Sequence, residues 1–479
     1  MIDTVPATIA PKVIDEFARE LGPGGVLTPE DDLGRYEASP NLWSGRAGLV
    51  LRPRCTEEVR SSLRIARSSN LQVLPQGANS GLVGASVPDV SGGQVVLSTE
   101  RLRSSFLLDA ASRTLTASAG WTLAEIQDRL AEDGLRFPIE VGSNPNVGGM
   151  VSTNTAGANV IRYGDVRKRL LGVQAVLPDR AGTVIDTLSP LRKRNEGFDA
   201  TQLFVGTQGR YGVVTAATVE VDPLPRARAA AWISLAINAD LSSAVAHFER
   251  SCGETLTSFE LLSPAGIALL KGQHSRLLQR LPCVDRDCLL IEVGTHDSSA
   301  EALLQRSLES AADKGLLEDA TTGDVESLWE IRRIVPAITE RMEPALSYDV
   351  SVPRGDISRL RTTLRDCLAA SFPSVIPIEL GHVADGGLHL ILALPSGTPT
   401  VGHEQVGLDR LVFDIVVQGH GGSFSAEHGV GPKNHHAYRR YVPEELRLLR
   451  EQLRQLCDPD DVLVGWAGQR AHGPILMPE

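Results

Sequence analysis

Leu74-Pro75-Gln76-Gly77-Ala78-Asn79-Ser80-Gly81-Leu82-Val83-Gly84 follows a short apolar run, and its glycines decide how the first part of the chain is read. Glycines at 77, 81 and 84 let the backbone turn tightly and present successive N–H groups toward an anion. The spacing is not GxGxxG, and the residues beyond it read as strand rather than helix, so a βαβ dinucleotide motif does not apply. A second loop, Val141-Gly142-Ser143-Asn144-Pro145-Asn146-Val147-Gly148-Gly149-Met150, leads into Thr153-Asn154-Thr155-Ala156-Gly157. Either loop alone could be an ordinary turn. Two of them in a strand-rich region fit a long ligand with a diphosphate at its middle.

Outward from these loops the pattern is mixed. Residues 11–21 and 56–69 have helical spacing, the second with Val59, Leu63 and Ala66 on one face. Strands are expected at 71–74, 94–98, 105–108 and 114–118, and Thr122 with Glu125 makes a capping box for a helix closed by Gly134. Residues 171–177 and 183–186 form a hairpin, and a strand over 213–221 runs into Pro223-Leu224-Pro225, the expected domain boundary. Beyond it strands and helices alternate as in an antiparallel sheet covered by helices, an α+β layer, with a helix over 404–417 and a strand over 423–426.

A third stretch carries chemistry. In Gly381-His382-Val383-Ala384-Asp385-Gly386-Gly387-Leu388-His389 an Asp-Gly pair separates two apolar runs, a strong hairpin signal. A two-residue turn at Asp385-Gly386 would pair His382 with His389, about 5 Å apart at Cβ on one face. Glu427 follows in Ser425-Ala426-Glu427-His428-Gly429, completing a two-histidine, one-carboxylate metal set with His428 beside it as candidate base. Gly429 would break the strand and let the adjacent Glu427 and His428 face one pocket. The remaining histidines, His420 and His472 among them, read as structural or surface groups.

At 479 residues two or three domains are expected, and a formal charge of -12 argues against sequence-independent nucleic-acid binding. The N-terminal Met1-Ile2-Asp3-Thr4-Val5 lacks a secretory leader pattern, and no apolar run is long enough to span a bilayer. Six dispersed cysteines read as reduced thiols, with a Cys283/Cys288 metal pair a minor alternative. The expected location is cytoplasmic.

Residues 76–84, 142–157, 176–179 and 193–215 resemble the FAD-binding domain of the vanillyl-alcohol-oxidase-type flavoproteins. Residues 381–390 and 422–431 resemble the C-terminal signatures of the branch holding D-2-hydroxyglutarate, D-lactate and glycolate dehydrogenases, so that the likeness spans residues 12–463. The resemblance implies an α+β protein with a two-part FAD-binding domain over 1–225, including the N-terminal helix. An α+β substrate (cap) domain over 226–430 carries an antiparallel sheet and the metal site, and a helical segment over 431–479 returns to the FAD domain.

By that resemblance Gln76, Gly77, Ala78, Asn79, Ser80 and Gly81 wrap the FAD diphosphate. Gly142, Ser143, Gly148, Gly149, Asn154 and Gly157 complete the site, and Val213 or Val214 lies near the isoalloxazine. Asn79 stands where some relatives attach FAD through a histidine, which implies non-covalent FAD. His382, His389 and Glu427 bind a divalent metal, usually Zn2+, His428 acts as base, and Arg332 takes the substrate carboxylate. The activity implied is oxidation of a D-2-hydroxy acid to the 2-oxo acid, with hydride to flavin N5.

Pro336, Ser347 and Ile391 stand where the hydroxyglutarate enzymes carry a threonine, a lysine and an asparagine for recognition, the lysine pairing a second carboxylate. That favours a monocarboxylate such as D-lactate or a larger apolar acid over D-2-hydroxyglutarate. Further departures are Thr207-Gln208-Gly209 and Val464-Gly465, where relatives carry Ser-Glu-Gly and Asn-Pro. Implied partners are the small 2-hydroxy acid and an electron acceptor (electron-transfer flavoprotein, quinone or cytochrome), with a homodimer by analogy. A metal-dependent hydrolase could use the same His382, His389 and Glu427, but would have no use for the two glycine loops.

Overall fold

The computed structural model describes residues 9–466 apart from 40–42, 273, 340–341 and 399–402; the N-terminal pentapeptide and His472 lie outside them. β1 (Val26–Leu27), β2 (Ala47–Leu51), β3 (Val73–Gln76) and β4 (Gln94–Ser98) form a sheet in the order β1-β2-β4-β3, with β4 parallel to both neighbours. Parallel strands buried on both faces read as unbroken apolar runs, as in Leu49-Val50-Leu51 and Val95-Val96-Leu97. Helices Pro11–Leu21 and Thr56–Ser68 cover this sheet with Phe17, Leu21, Val59 and Leu63. The first glycine loop leaves the end of β3.

Next come β5 (Phe106–Asp109), β6 (Thr114–Ser118), β7 (Leu135–Arg136), β8 (Leu170–Val176), β9 (Val184–Asp186), β10 (Val213–Glu220) and β11 (Asp222–Pro223). Five of them make an antiparallel sheet in the order β5-β6-β10-β8-β9, and β7 pairs with β11. The Thr122/Glu125 capping box forms at the start of helix Leu123–Ala131, as its spacing predicts. Asn146 caps helix Val147–Thr153 by accepting from the Gly149 N–H at 2.9 Å. That helix begins so close to β6 that a Cβ on Gly148 would lie 2.9 Å from the Ala119 Cβ.

The largest sheet is antiparallel throughout: β12 (Ala227–Leu235), β13 (Leu256–Leu262), β14 (Cys288–Thr295), β15 (Leu317–Gly323), β16 (Ala345–Ser351), β17 (Ile376–Gly381) and β18 (Gly387–Ala393). Their order is β15-β12-β14-β13-β17-β18-β16. Period-two alternation sends Leu346, Tyr348, Val350, Leu388, Leu390 and Leu392 into the core shared with helices Leu241–Cys252, Ala300–Asp313 and Ile357–Ser371. It turns Ser347, Asp349 and His389 to the opposite face, where helix Val325–Thr339 packs through Leu328, Trp329 and Ile331. The chain finally returns to the first sheet, where Val73 donates its N–H to the Val462 carbonyl (2.7 Å) and accepts from the Val464 N–H (3.0 Å).

Three expectations differ in detail. The histidine hairpin turns over more residues than Asp385-Gly386: Leu380, not His382, stands opposite His389, and His382 lies in the loop just beyond β17. Gly381, at φ +125°, turns the chain out of the strand, and the two imidazoles meet with their ring centroids 5.4 Å apart. Residues 423–426 form no strand beyond a single bridge from Ser423 to Ser351. Helix His403–Phe413 widens into a π turn over Asp414–Gly419 instead of continuing as an α-helix.

Candidate active site

A cavity of about 1630 Å³ runs from the two glycine loops to the histidine cluster. It is larger than the few hundred to about 1,000 Å³ typical of a pocket for one small ligand, leaving room for a dinucleotide and a substrate together. Gln76 through Gly81, Gly142, Ser143, Gly148, Gly149, Gly157, Val213 and Val214 all line it. No atom lies within 4 Å of the place a Cβ on Gly142 would take, and the nearest to one on Gly81 is the Ser86 Oγ at 3.8 Å. These walls leave space for FAD against the loop backbone.

The polar side chains of the first loop turn inward to hold it. Gln76 Nε2 donates to the carbonyls of Tyr36 (2.9 Å) and Ser86 (2.7 Å). Asn79, at φ +54°, donates to the carbonyls of Arg35 and Ala38 and accepts from Ser86 Oγ. Asn79 is therefore fully engaged by the protein at the place a covalent linkage would need. Asn154 departs from expectation, since it does not line the cavity. It caps a helix end at φ +53°, donating to Asp165 Oδ2 and accepting from the Arg167 N–H, both at 2.8 Å.

At the other end of the cavity Glu427 Oε1 lies between three imidazoles: 3.3 Å from His389 Nε2 and 3.7 Å from both His382 Nε2 and His428 Nε2. Ligand atoms around a tetrahedral zinc with bonds near 2.0–2.1 Å stand about 3.3 Å apart, the spacing of His389 from Glu427, while His382 and His428 stand wider. Carboxylates orient the rings from behind, as they do for metal-bound histidines. Glu260 Oε1 sits 2.6 Å from His382 Nδ1, and Asp349 Oδ1 sits 3.5 Å from His389 Nδ1. Among the described residues the tightest donor group is Asp349, His389, Glu427 and His428, within 4.8 Å of one another, so His382 stands slightly outside it.

Asp349 and Glu260 escaped the sequence reading, although period two points to both. Ser347-Tyr348-Asp349-Val350-Ser351 alternates polar and apolar, and so does Ser258-Phe259-Glu260-Leu261. Asp349 Oδ2 accepts the backbone N–H groups of Glu427 and His428, each at 2.8 Å. That grip, with Ser425 Oγ bonded to both the N–H and the carbonyl of Gly429, shapes a loop in which adjacent residues face one chamber. Glu427 and His428 thus converge because they leave the sheet, with Gly429 at φ +86° closing the turn.

Electrostatics follow from these contacts. Burial alone would raise the Glu260 carboxyl, but His382 and Arg332 outweigh it and hold it at about 2. Burial likewise disfavours the His382 cation, yet Glu260 pushes the ring up to about 9. Burial lowers the His428 imidazole, and Asp349 and Glu427 offset this only in part, so His428 favours its neutral, proton-accepting form. Asp349 lies well below the usual carboxylate range because His428, His389 and the Glu427 amide outweigh its burial. Arg332 donates through Nε to Glu260 Oε2 at 2.6 Å and lines the cavity, its terminal amino groups unpartnered among the described residues.

The expectation of a substrate subsite without a cation meets a difference. Lys433 reaches across from helix Gly431–Tyr441 and donates from Nζ to Ser347 Oγ at 2.8 Å, and both residues line the cavity. His420 and the Cys283/Cys288 pair stay away from the site. The His420 Nδ1 lies 3.7 Å from Asp356, and Cys288 Sγ donates to the Cys283 carbonyl at 3.3 Å.

Two family models cover the chain: the FAD-binding domain over residues 47–187 and the C-terminal domain of FAD-linked oxidases over 224–464. D-2-hydroxyglutarate dehydrogenase, mitochondrial, from Danio rerio is 32% identical over 93% of this chain and 83% of its own. Putative D-lactate dehydrogenase C713.03, mitochondrial, from Schizosaccharomyces pombe is 29% identical over 96% and 90%. Among solved structures, p-cresol methylhydroxylase (TM-score 0.71, 16% identity, 97% of this chain and 98% of that one) shares the two-part FAD-binding fold. So does 4-ethylphenol oxidase from Gulosibacter chungangensis (TM-score 0.71, 15% identity, 96% and 98%). The relatives' names correct the expected cytoplasmic location, since both dehydrogenases are mitochondrial. That expectation rested on dispersed thiols and a missing secretory leader, neither of which separates one reducing compartment from another. Two matched domains, the glycine-walled cavity and close relatives over nearly the full length agree: the chain belongs to the family of FAD-dependent D-2-hydroxy-acid dehydrogenases.

Proposed function

We propose that this enzyme oxidises a D-2-hydroxy acid to the 2-oxo acid at the junction between the glycine-loop cavity and the histidine cluster, with His428 as base. The single observation that carries the reading is continuity: Arg332, His428, Glu427 and the FAD-loop residues line one chamber. Arg332 offers its free guanidinium edge to the substrate carboxylate, while Glu260 fixes the side chain from behind. His428 Nε2 takes the hydroxyl proton as the C–H bond at the α-carbon breaks, which calls for the neutral imidazole that burial favours. Asp349 keeps His428 and Glu427 in place through their backbone amides. FAD held by the glycine loops supplies the acceptor for the hydride. A divalent cation held by His382, His389 and Glu427 would supply Lewis acidity toward the hydroxyl oxygen. Reduced flavin then passes its electrons to an external acceptor.

An anaerobic flavin-reduction screen tests the reading. D-2-hydroxy acids are expected to bleach the visible flavin band and their L-enantiomers to leave it. A flavin reduced by L-acids alone, or by none, overturns the proposal. Unchanged reduction after verified metal removal overturns the metal role alone.

A further inference from the structure

We infer that Lys433 determines specificity at the end of the cavity away from the reacting carbon, and that the substrate carries a second, anionic group there. The inference rests on the D-2-hydroxy-acid reading above. Lys433 is a half-buried lysine on the wall of the active-site chamber, and Asp349 and Asp409 act on its charge only from a distance. Its Nζ donates to Ser347 Oγ at 2.8 Å, and no described carboxylate forms an ion pair with it.

The two acids nearest in effect are committed elsewhere. Asp349 Oδ2 accepts two backbone amides, and Asp409 Oδ1 accepts the Tyr348 hydroxyl at 2.7 Å. A desolvated ammonium is costly unless an anion meets it, and burial acts against its charge here. The open direction is the cavity, which Lys433 and Ser347 both line.

Placement gives the distance. Ser347 pairs with Ile391 and Asp349 with His389, so the Lys433–Ser347 pair lies one alternate position along the same sheet face from the histidine cluster. Two residues along a strand span about 7 Å, the reach of a short aliphatic chain between two carboxylates. Ile391 and Pro336 line the cavity and offer apolar wall to such a chain. Arg332 is partly neutralised by Glu260 and belongs to the reacting end, which leaves Lys433 for the far one. A strand-borne lysine is absent at position 347, but a helix-borne one delivers its charge to the same place.

The test compares D-2-hydroxyglutarate with D-2-hydroxyvalerate, which has the same chain length and no second carboxylate, by the rate of flavin reduction. Wild-type enzyme is expected to favour the diacid by about tenfold or more in kcat/KM, and K433M to lower that ratio by about 30-fold, the loss for truncating one partner of a buried charge pair. An unchanged ratio in K433M, or equal use of both acids by the wild type, overturns the inference. Should K433M fail to fold, binding of glutarate and valerate to the wild-type holoenzyme, read from the flavin spectrum, decides the matter. Glutarate is expected to bind at least about tenfold tighter, and equal binding overturns the role of Lys433. The binding arm needs no turnover, so it judges Lys433 even if no D-2-hydroxy acid reduces the flavin.

Discussion

Glu260 shows how much a single buried charge can organise. It is fully buried, accepts from Arg332 Nε and faces His382 Nδ1, so one carboxylate sets both the arginine proposed to take the substrate carboxylate and a histidine of the proposed metal set. Glu260→Gln leaves two cationic neighbours short of their counter-charge. It is expected to cost about 3–5 kcal/mol in urea-unfolding free energy, and a loss below 1 kcal/mol would show that the pair is not coupled as drawn. His428→Asn keeps the loop's backbone bonds to Asp349 and removes the proposed proton acceptor. It should slow anaerobic flavin reduction by about 10²–10⁴-fold with flavin content unchanged, as stopped-flow absorbance will report. The hairpin histidines, Glu427 and His428 stand out in the sequence by type and spacing, whereas Arg332 is legible only through the family resemblance. Glu260 and Asp349 were missed, since period two gives only the face of a carboxylate on a strand, and what it meets depends on its neighbours across the sheet.

At the scale of elements, the loop from Ser425 to Gly431 joins the two halves of the site. Gln208, itself at φ +55°, accepts from the Gly431 N–H at 3.0 Å, and its Nε2 would lie 2.6 Å from a Cβ on Gly429. Gly429→Ala must therefore bear a left-handed alanine, about 1–3 kcal/mol, and also displace the Gln208 amide, about 1 kcal/mol more. In a Gln208→Ala background that second cost is already absent. The substitution at Gly429 should then be milder by about 1 kcal/mol, a difference a double-mutant cycle in urea resolves. A strictly additive cycle would remove Gln208 from the account. The expected strand over 423–426 stops after one bridge because Ser423 Oγ takes the Ser425 N–H and turns the chain away from the sheet. The two hairpin histidines meet despite the register error, because the turn after Gly381 carries His382 back beside His389.

Across the whole molecule, the cavity is the shared product of the glycine-loop sheets and the seven-stranded sheet, so ligand binding should stabilise both together. Saturating FAD at about 100 times its Kd should add about 2.7 kcal/mol over the deflavinated protein, seen as a rise in Tm with FAD concentration. Chelation followed by metal analysis should slow flavin reduction while leaving the flavin bound, because the loops at 76–81 and 142–157 lie at the other end of the chamber. Loss of flavin together with the metal would contradict that separation. The sequence by itself determined the fold and the reaction class through its resemblance to a known family, while its glycine loops, capping box and paired histidines, read locally, marked only a cofactor-like loop pair and a histidine cluster. Only the tertiary structure decided which charges meet. It placed Glu260 behind His382, Asp349 beneath the Glu427-His428 loop, and Lys433 beside Ser347, since these partners are brought together across sheets and from a helix far along the chain, where spacing in sequence carries no information.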